Sequence, residues 1–396
     1  MGDRKIELES VEDAVRKVWI NCFTPNYIVD LTRMLVCKLM IMTRELLMEW
    51  ESDPEALFLL EGQLAVSDHL SIAAQHLYLS LIESNSGKSI IPQLMASLIK
   101  DYESQSFAIS CEAMNKVLPN GGAVHETVLL WDAIYTAVGI SVNNLSSHVD
   151  LSDWFRNCLS PALSSLLSNQ CNMQSIPVLK RRIIWLIGCC SNFIWVTETS
   201  HTVLLTCLTT STDLCVQLTA IQSLTCIMYE PGFDQKLILS SIIPVIETLY
   251  HLLATCNELE SHQTVTSTII LVLSLFDEGS LSDEAANQAL LPLKVIWDSK
   301  DHQNILRKDV ICILKHIVVG VGSDRSKLMF ETVAPILHFS LRPENEGECM
   351  YLVEDALSLW LIILRLSKEY VSILDDLFPS ILGIIQRDFE HLRLVI

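Results

Sequence analysis

Three features of the sequence carry residue types that could do chemistry. Gly87-Lys88-Ser89 offers the end of a phosphate-binding loop, in which backbone amides wrap the phosphates while Lys and Ser reach phosphate and metal. That loop needs a glycine five positions before Gly87, where Ile82 stands, and no strand signal precedes it. The segment reads as a solvated loop between helices. His125-Glu126 opens a zinc-hydrolase motif, but its second histidine would fall at Leu129. The other histidines, among them His69, His76, His251, His302 and His316, share no ligand spacing. The 13 cysteines contain no C-x-x-C pair, which removes zinc-finger and thioredoxin-like readings and suits small buried hydrophobes in a reducing compartment. No catalytic residue, cofactor or metal ligand is expected, and the chain reads as a non-enzyme.

Charge says more than chemistry. The 396 residues hold 27 Lys+Arg against 47 Asp+Glu, a formal net charge of −20. Nothing here can neutralise a run of phosphates, so nucleic acid and anionic lipid are excluded as main partners, and positively charged protein segments suit the chain best. Lys180-Arg181-Arg182 is the one compact basic cluster. It could be a nuclear-localisation-like patch, but it opens an apolar run, Ile183 to Ile187, and pairing with acids on an adjoining helix is the expected role. Acidic runs lie at 49–55, 277–284, 344–348 and 375–376. Such runs are usually solvated faces. As a candidate surface for basic cargo, Asp375 and Asp376 come first.

The elements that must position these residues are helices. Strand alternation and two-residue hairpin turns are nearly absent, whereas Val310, Ile313, Leu314, Ile317 and Val318 follow i, i+3, i+4, i+7, i+8. Leu237, Ile238, Ile242, Val245, Ile246, Leu249, Leu252 and Leu253 mark a second apolar face, and Leu352, Ala356, Leu359, Leu361 and Ile363 a third. The apolar runs at 268–276 and 357–364 are too short to span a bilayer, and the N-terminus lacks the apolar core of a signal peptide. An intracellular, soluble chain is expected.

Proline gives the organisation. Pro244, Pro292, Pro335 and Pro379 recur in an apolar frame at spacings of 48, 43 and 44 residues, the period of HEAT and armadillo helix pairs. We expect an all-α, α-α superhelix of this solenoid type. Residues 1–120 read as irregular helical repeats, with helices near 10–20, 27–51, 66–82 and 89–117. Residues 121–396 read as about six helix pairs, the first helices starting near His125, Pro177, Asp213, Leu259, Gln303 and Tyr351. A proline inside a second helix is expected to kink it.

Several segments resemble the importin-β (karyopherin) superfamily. Trp50-Glu51-Ser52-Asp53-Pro54-Glu55 is similar to a Trp-x-x-Asp-Pro-Glu signature of large karyopherins. Asp132 to Gly139, Asp153-Trp154-Phe155 before Leu159-Ser160-Pro161, Arg181 to Gly188 and Tyr351 to Leu361 are further anchors, in order along most of the chain. Cys189-Cys190 departs from the Gln-Trp common in the family, and Gln217 stands where a HEAT first helix often has Arg, so a weaker polar ladder between repeats is expected. The resemblance implies a middle-to-late part of a nuclear transport receptor, with no segment like the family's N-terminal domain. It implies protein cargo, the GTPase Ran and Phe-Gly nucleoporins as partners, and shuttling between nucleus and cytoplasm. A HEAT scaffold without transport activity is the alternative.

Overall fold

The computed structural model describes residues 23–62, 69–104, 126–168, 175–192, 198–298, 303–322, 330–342, 351–367 and 372–387. Among them every regular element is helical. The chain divides into two compact units, 1–233 and 234–396.

The first unit opens with α1 (Pro25–Met34), which runs into a π-helical turn, Leu35–Leu39. Then come α2 (Arg44–Ser52), α3 (Pro54–Gly62), α4 (Leu70–Glu83) and α5 (Gly87–Ser104). The single helix expected at 27–51 is therefore broken. Thr43 accepts from the Leu46 amide at 3.4 Å and starts α2 afresh. Helix α3 was not expected at all. Its start combines Pro54 at the first position with Asp53, whose Oδ1 accepts from the Ala56 amide at 3.0 Å. Gly87-Lys88-Ser89 is the first turn of α5, and the Ser84 hydroxyl accepts the Gly87 amide at 3.0 Å. The amide a phosphate loop would use is already bound.

Helix pairs follow. First helices are α6 (Glu126–Ile140), α8 (Ser175–Cys189) and α10 (Leu214–Met228). Between them lie α7 (Ser160–Ser168), entered through the π-turn Phe155–Leu159, and α9 (Glu198–Thr210). Helix α8 packs between α6 and α10, while α7 packs on α9, so first and second helices form separate layers. Two glycines let the first helices close up. A Cβ at Gly139 would run into the Trp185 ring, and one at Gly188 would lie 2.9 Å from Ser223 Cα.

The second unit contains α11 (Ile242–Thr255), α12 (Leu259–Ser274), α13 (Asp283–Leu290), α14 (Leu293–Asp298), α15 (Gln303–Val321), α16 (Phe330–Leu341) and α17 (Val353–Leu366). A 3₁₀ turn, Ser372–Leu377, leads into α18 (Phe378–Arg387). Here α15 packs between α12 and α17 in the first-helix layer. In the other layer α11 meets α13, with the Tyr250 hydroxyl donating to the Ala289 carbonyl at 2.7 Å, and α16 meets the 3₁₀ turn. The apolar stripe Val310, Ile313, Leu314, Ile317, Val318 is buried throughout, as its spacing requires. This is the all-α, HEAT-type pairing that the sequence implied.

The prolines act differently from expectation. Pro161 follows the π-turn Phe155–Leu159 inside a continuous helical path, whereas Pro244 is the third residue of α11 and Pro379 the second of α18. In a first turn no amide is needed from these last two, so they start helices rather than kink them. Pro335 alone of the recurring set lies inside its helix, and Pro292 separates α13 from α14.

Candidate functional site

Asp375 and Asp376 occupy the 3₁₀ turn before α18, and both are exposed. Leu377 after them is buried and anchors the turn, while Phe378 is 55% exposed. Asp277 and Glu278, and Asp283 and Glu284, are exposed as well. The run at 344–348 lies outside the described residues. The run at 49–55 is solvated only in part: Glu51 and Asp53 are exposed, with Asp53 capping α3, while Glu55 is buried. His125, His302 and Trp195 also lie outside the described residues. Among those described, no three His, Cys, Asp or Glu side chains gather as a metal site would need.

The basic cluster proves to be structural. Arg181 and Arg182 are buried on α8. Arg182 Nε donates to Asp132 Oδ1 on α6 at 2.7 Å, and its Nη2 donates to Glu61 Oε1 on α3 at 3.0 Å. Arg181 Nη2 pairs with the other oxygen of Glu61. Its guanidinium lies 5.3 Å from the centroid of the Trp50 ring, and that of Arg182 lies 4.9 Å from Trp185. The Trp50 indole donates to Asp213 Oδ2 at 3.0 Å. The hairpin α2–α3 is thus fastened to two successive first helices, α8 and α10, and Arg182 ties α8 in turn to α6. Burial pushes the Glu61 carboxyl up, but the guanidiniums of Arg181 and Arg182 outweigh it and hold the group at about 2. For Arg182, burial works against the charge, yet Asp132 and Glu61 keep it firmly protonated.

Sequence reasoning had anticipated an acid on an adjoining helix for this cluster, and Asp132 is that acid. It had not anticipated Glu61, because α3 was missed. The signal was present in Asp53-Pro54, a cap followed by a proline at a first helical position.

In the second unit the polar rungs between first helices are lighter. Thr266 Oγ1 on α12 donates to Asp309 Oδ2 on α15 at 2.6 Å. Lys315 Nζ on α15 donates to Asp355 Oδ1 on α17 at 2.7 Å. Burial raises the Asp309 carboxyl despite the Thr266 hydrogen bond. Gln217, in place of an arginine, turns away from this ladder, and its Nε2 donates to the Leu208 carbonyl on α9 at 2.9 Å.

The tryptophans are largely core. Trp50, Trp131, Trp154, Trp297 and Trp360 are buried, with Trp297 edge-on to Phe339 at 5.7 Å between centroids. The buried thiols are unreactive: burial pushes Cys190, Cys207 and Cys215 up to about 12. No helix among the described residues is long and apolar enough to cross a membrane. Within each unit, exposed acids stand on or beside packed helices.

A family model for "Importin-11-like, TPR repeats" matches residues 308–396. Over 385 residues, 95% of this chain, the sequence is 24% identical to importin-11 of Homo sapiens, covering 36% of that protein. It is 25% identical to importin-11 of Mus musculus over the same share of both chains. The fold matches the solved structure of Lph2, described as a bidirectional nuclear transport receptor in S. cerevisiae, with a TM-score of 0.72 and 18% identity. That match covers 93% of this chain and 36% of the other, and at such identity it is a likeness of fold. The chain spans about a third of the length of the curated relatives it matches. Along nearly its whole length the chain is thus similar in sequence to importin-11, and its helical fold is like that of Lph2.

Proposed function

We propose that the chain is part of an importin-type nuclear transport receptor that carries protein cargo through the nuclear pore under control of the GTPase Ran. The observation that carries this reading is the similarity to importin-11 along 95% of the chain. The net charge of −20 supports a basic cargo, because an acidic surface concentrates and orients positive segments. Asp375 and Asp376 are the proposed cargo contacts: both are exposed, and the buried Leu377 fixes their turn. Phe-Gly nucleoporins are the proposed partners at the pore, and the protein shuttles between cytoplasm and nucleus. The role requires no chemistry of the chain. Cargo and Ran each favour a different arrangement of the helix pairs, so each lowers the other's affinity.

The test is a pull-down from cytosol with the purified chain, with and without excess GTP-loaded Ran. Basic proteins retained without Ran and released by it support the reading. Retention that ignores Ran removes Ran control from these residues, and no retention removes cargo binding from them. D375N/D376N separates the site from the function: it lowers retention of basic cargo several-fold if the two carboxylates make the contact.

A further inference from the structure

Helices α13 and α14 present a face that no other described element covers. Ala285, Ala289, Leu293 and Trp297 recur every four residues and are buried. On the opposite side Glu284, Gln288, Leu291, Val295 and Asp298 follow steps of four, three, four and three, which keeps them on one stripe at 100° per residue. The break at Pro292 does not scatter this stripe. The Leu291 amide still donates to Asn287 at 3.0 Å, and the Ile296 amide donates to Pro292 at 3.1 Å, so the helical path continues on both sides. Leu291 is 72% exposed and Val295 is 74% exposed, which places them with Tyr229 among the most open large apolar side chains.

Acid closes the stripe at both ends, with Glu284 and Asp298 exposed. Gln288 adds a third carboxylate beside it, because its Nε2 donates to Glu247 Oε1 on α11 at 2.7 Å. Lys294 is the only exposed basic residue of the two helices. An apolar centre between acidic ends selects a ligand of the opposite pattern. A purely basic segment leaves Leu291 and Val295 against water, and a purely apolar one leaves the acids unmatched.

We infer that this stripe is a docking surface for a short partner segment in which two apolar side chains are flanked on both sides by Lys or Arg. Spacing defines the segment further. Leu291 and Val295 are about 6 Å apart along the axis, the distance between alternate residues of an extended chain, and Glu284 to Asp298 spans about 21 Å, or six extended residues. The matching ligand is an extended apolar-x-apolar core with a basic residue within three or four positions on each side. The surface is argued from its own side chains and stands apart from the Asp375–Asp376 contact. Its failure leaves the transport reading untouched.

A random dodecamer display library selected on the immobilised full-length chain tests this. Selected peptides, fluorescein-labelled, are titrated against the wild type, L291S/V295S and E284Q/D298N by anisotropy. The expected result is enrichment of the basic-flanked apolar-x-apolar pattern, with affinity lowered at least tenfold by L291S/V295S. E284Q/D298N weakens binding and flattens its salt dependence. If the double serine variant melts below the wild type, V295S alone is read, with a loss of threefold or more expected. Selected peptides that lack the pattern, or that bind the serine variants within twofold of wild type, overturn the inference.

Discussion

Trp50 and Asp213 are 163 residues apart in the chain, and the indole Nε1 donates to Asp213 Oδ2 at 3.0 Å. The other oxygen of the same carboxylate accepts from the Val216 amide at 2.9 Å and caps α10. One side chain therefore starts a first helix and holds the α2–α3 hairpin on it. The two roles separate by mutation. W50F keeps most of the ring but leaves one oxygen of Asp213 without its donor, at a cost of about 1–2 kcal/mol. D213A loses the cap as well and orphans a mostly buried indole N–H, for a total of about 2–4 kcal/mol. Urea unfolding of both variants checks this: equal costs would mean that the cap contributes nothing.

Glu61 gives the first unit an acid-sensitive joint. Its carboxyl ordinarily titrates near 4.5, and in the fold it is held at about 2. A carboxyl lowered in this way contributes stability that is complete above about 4.5 and disappears as the pH falls towards 2. E61Q removes the contribution. The stability gap between wild type and E61Q is expected to be constant from neutral pH to about 5 and to shrink between 4.5 and 3, followed by urea midpoints. A gap that stays constant down to pH 3 would show that Glu61 titrates normally in the fold.

Gly139 and Trp185 set the spacing of α6 and α8. Because a Cβ at Gly139 would run into the Trp185 ring, G139A is expected to cost about 1–3 kcal/mol although alanine favours helix. The clash involves a side chain, so a smaller residue opposite relieves it. G139A/W185L should recover part of the loss relative to W185L alone, measured as a double-mutant cycle. Simple additivity of the two costs would mean that the helices are spaced by other contacts.

What the sequence made legible followed from local periodicity. The α15 stripe from Val310 to Val318 could be read from spacing alone, because only one face of that helix is apolar and it is the buried one. Helix α3 was hidden because its run from Pro54 to Gly62 is apolar on most sides and shows no stripe. Glu61 was hidden for a second reason: its partners Arg181 and Arg182 are 120 and 121 residues away, beyond any local pattern. The recurring prolines gave the period correctly but suggested kinks, since spacing does not say whether a proline falls in the first turn or the interior. The exposed Leu291 and Val295 are hydrophobic in the sequence and become distinctive only once the opposite face of their helices is seen to be buried.

Arg182 and Asp132 are each about 3% exposed in their side chains, and Arg182 also reaches Glu61. The cost of desolvating such a pair is largely offset by its own attraction, so the pair as a whole adds little, while either partner alone is an uncompensated buried charge. R182M is therefore expected to cost about 3–5 kcal/mol, because Asp132 loses its counter-ion and Glu61 keeps only Arg181. D132L should cost a similar amount by leaving Arg182 with the half-buried Glu61 as its one carboxylate. The double variant R182M/D132L replaces the pair with apolar groups and should be well above the sum of the single effects in stability, with a coupling of about 2–3 kcal/mol by urea unfolding. Coupling near zero would mean that each residue is held by its other neighbours, and that α6 and α8 are joined by packing at Gly139 and not by charge.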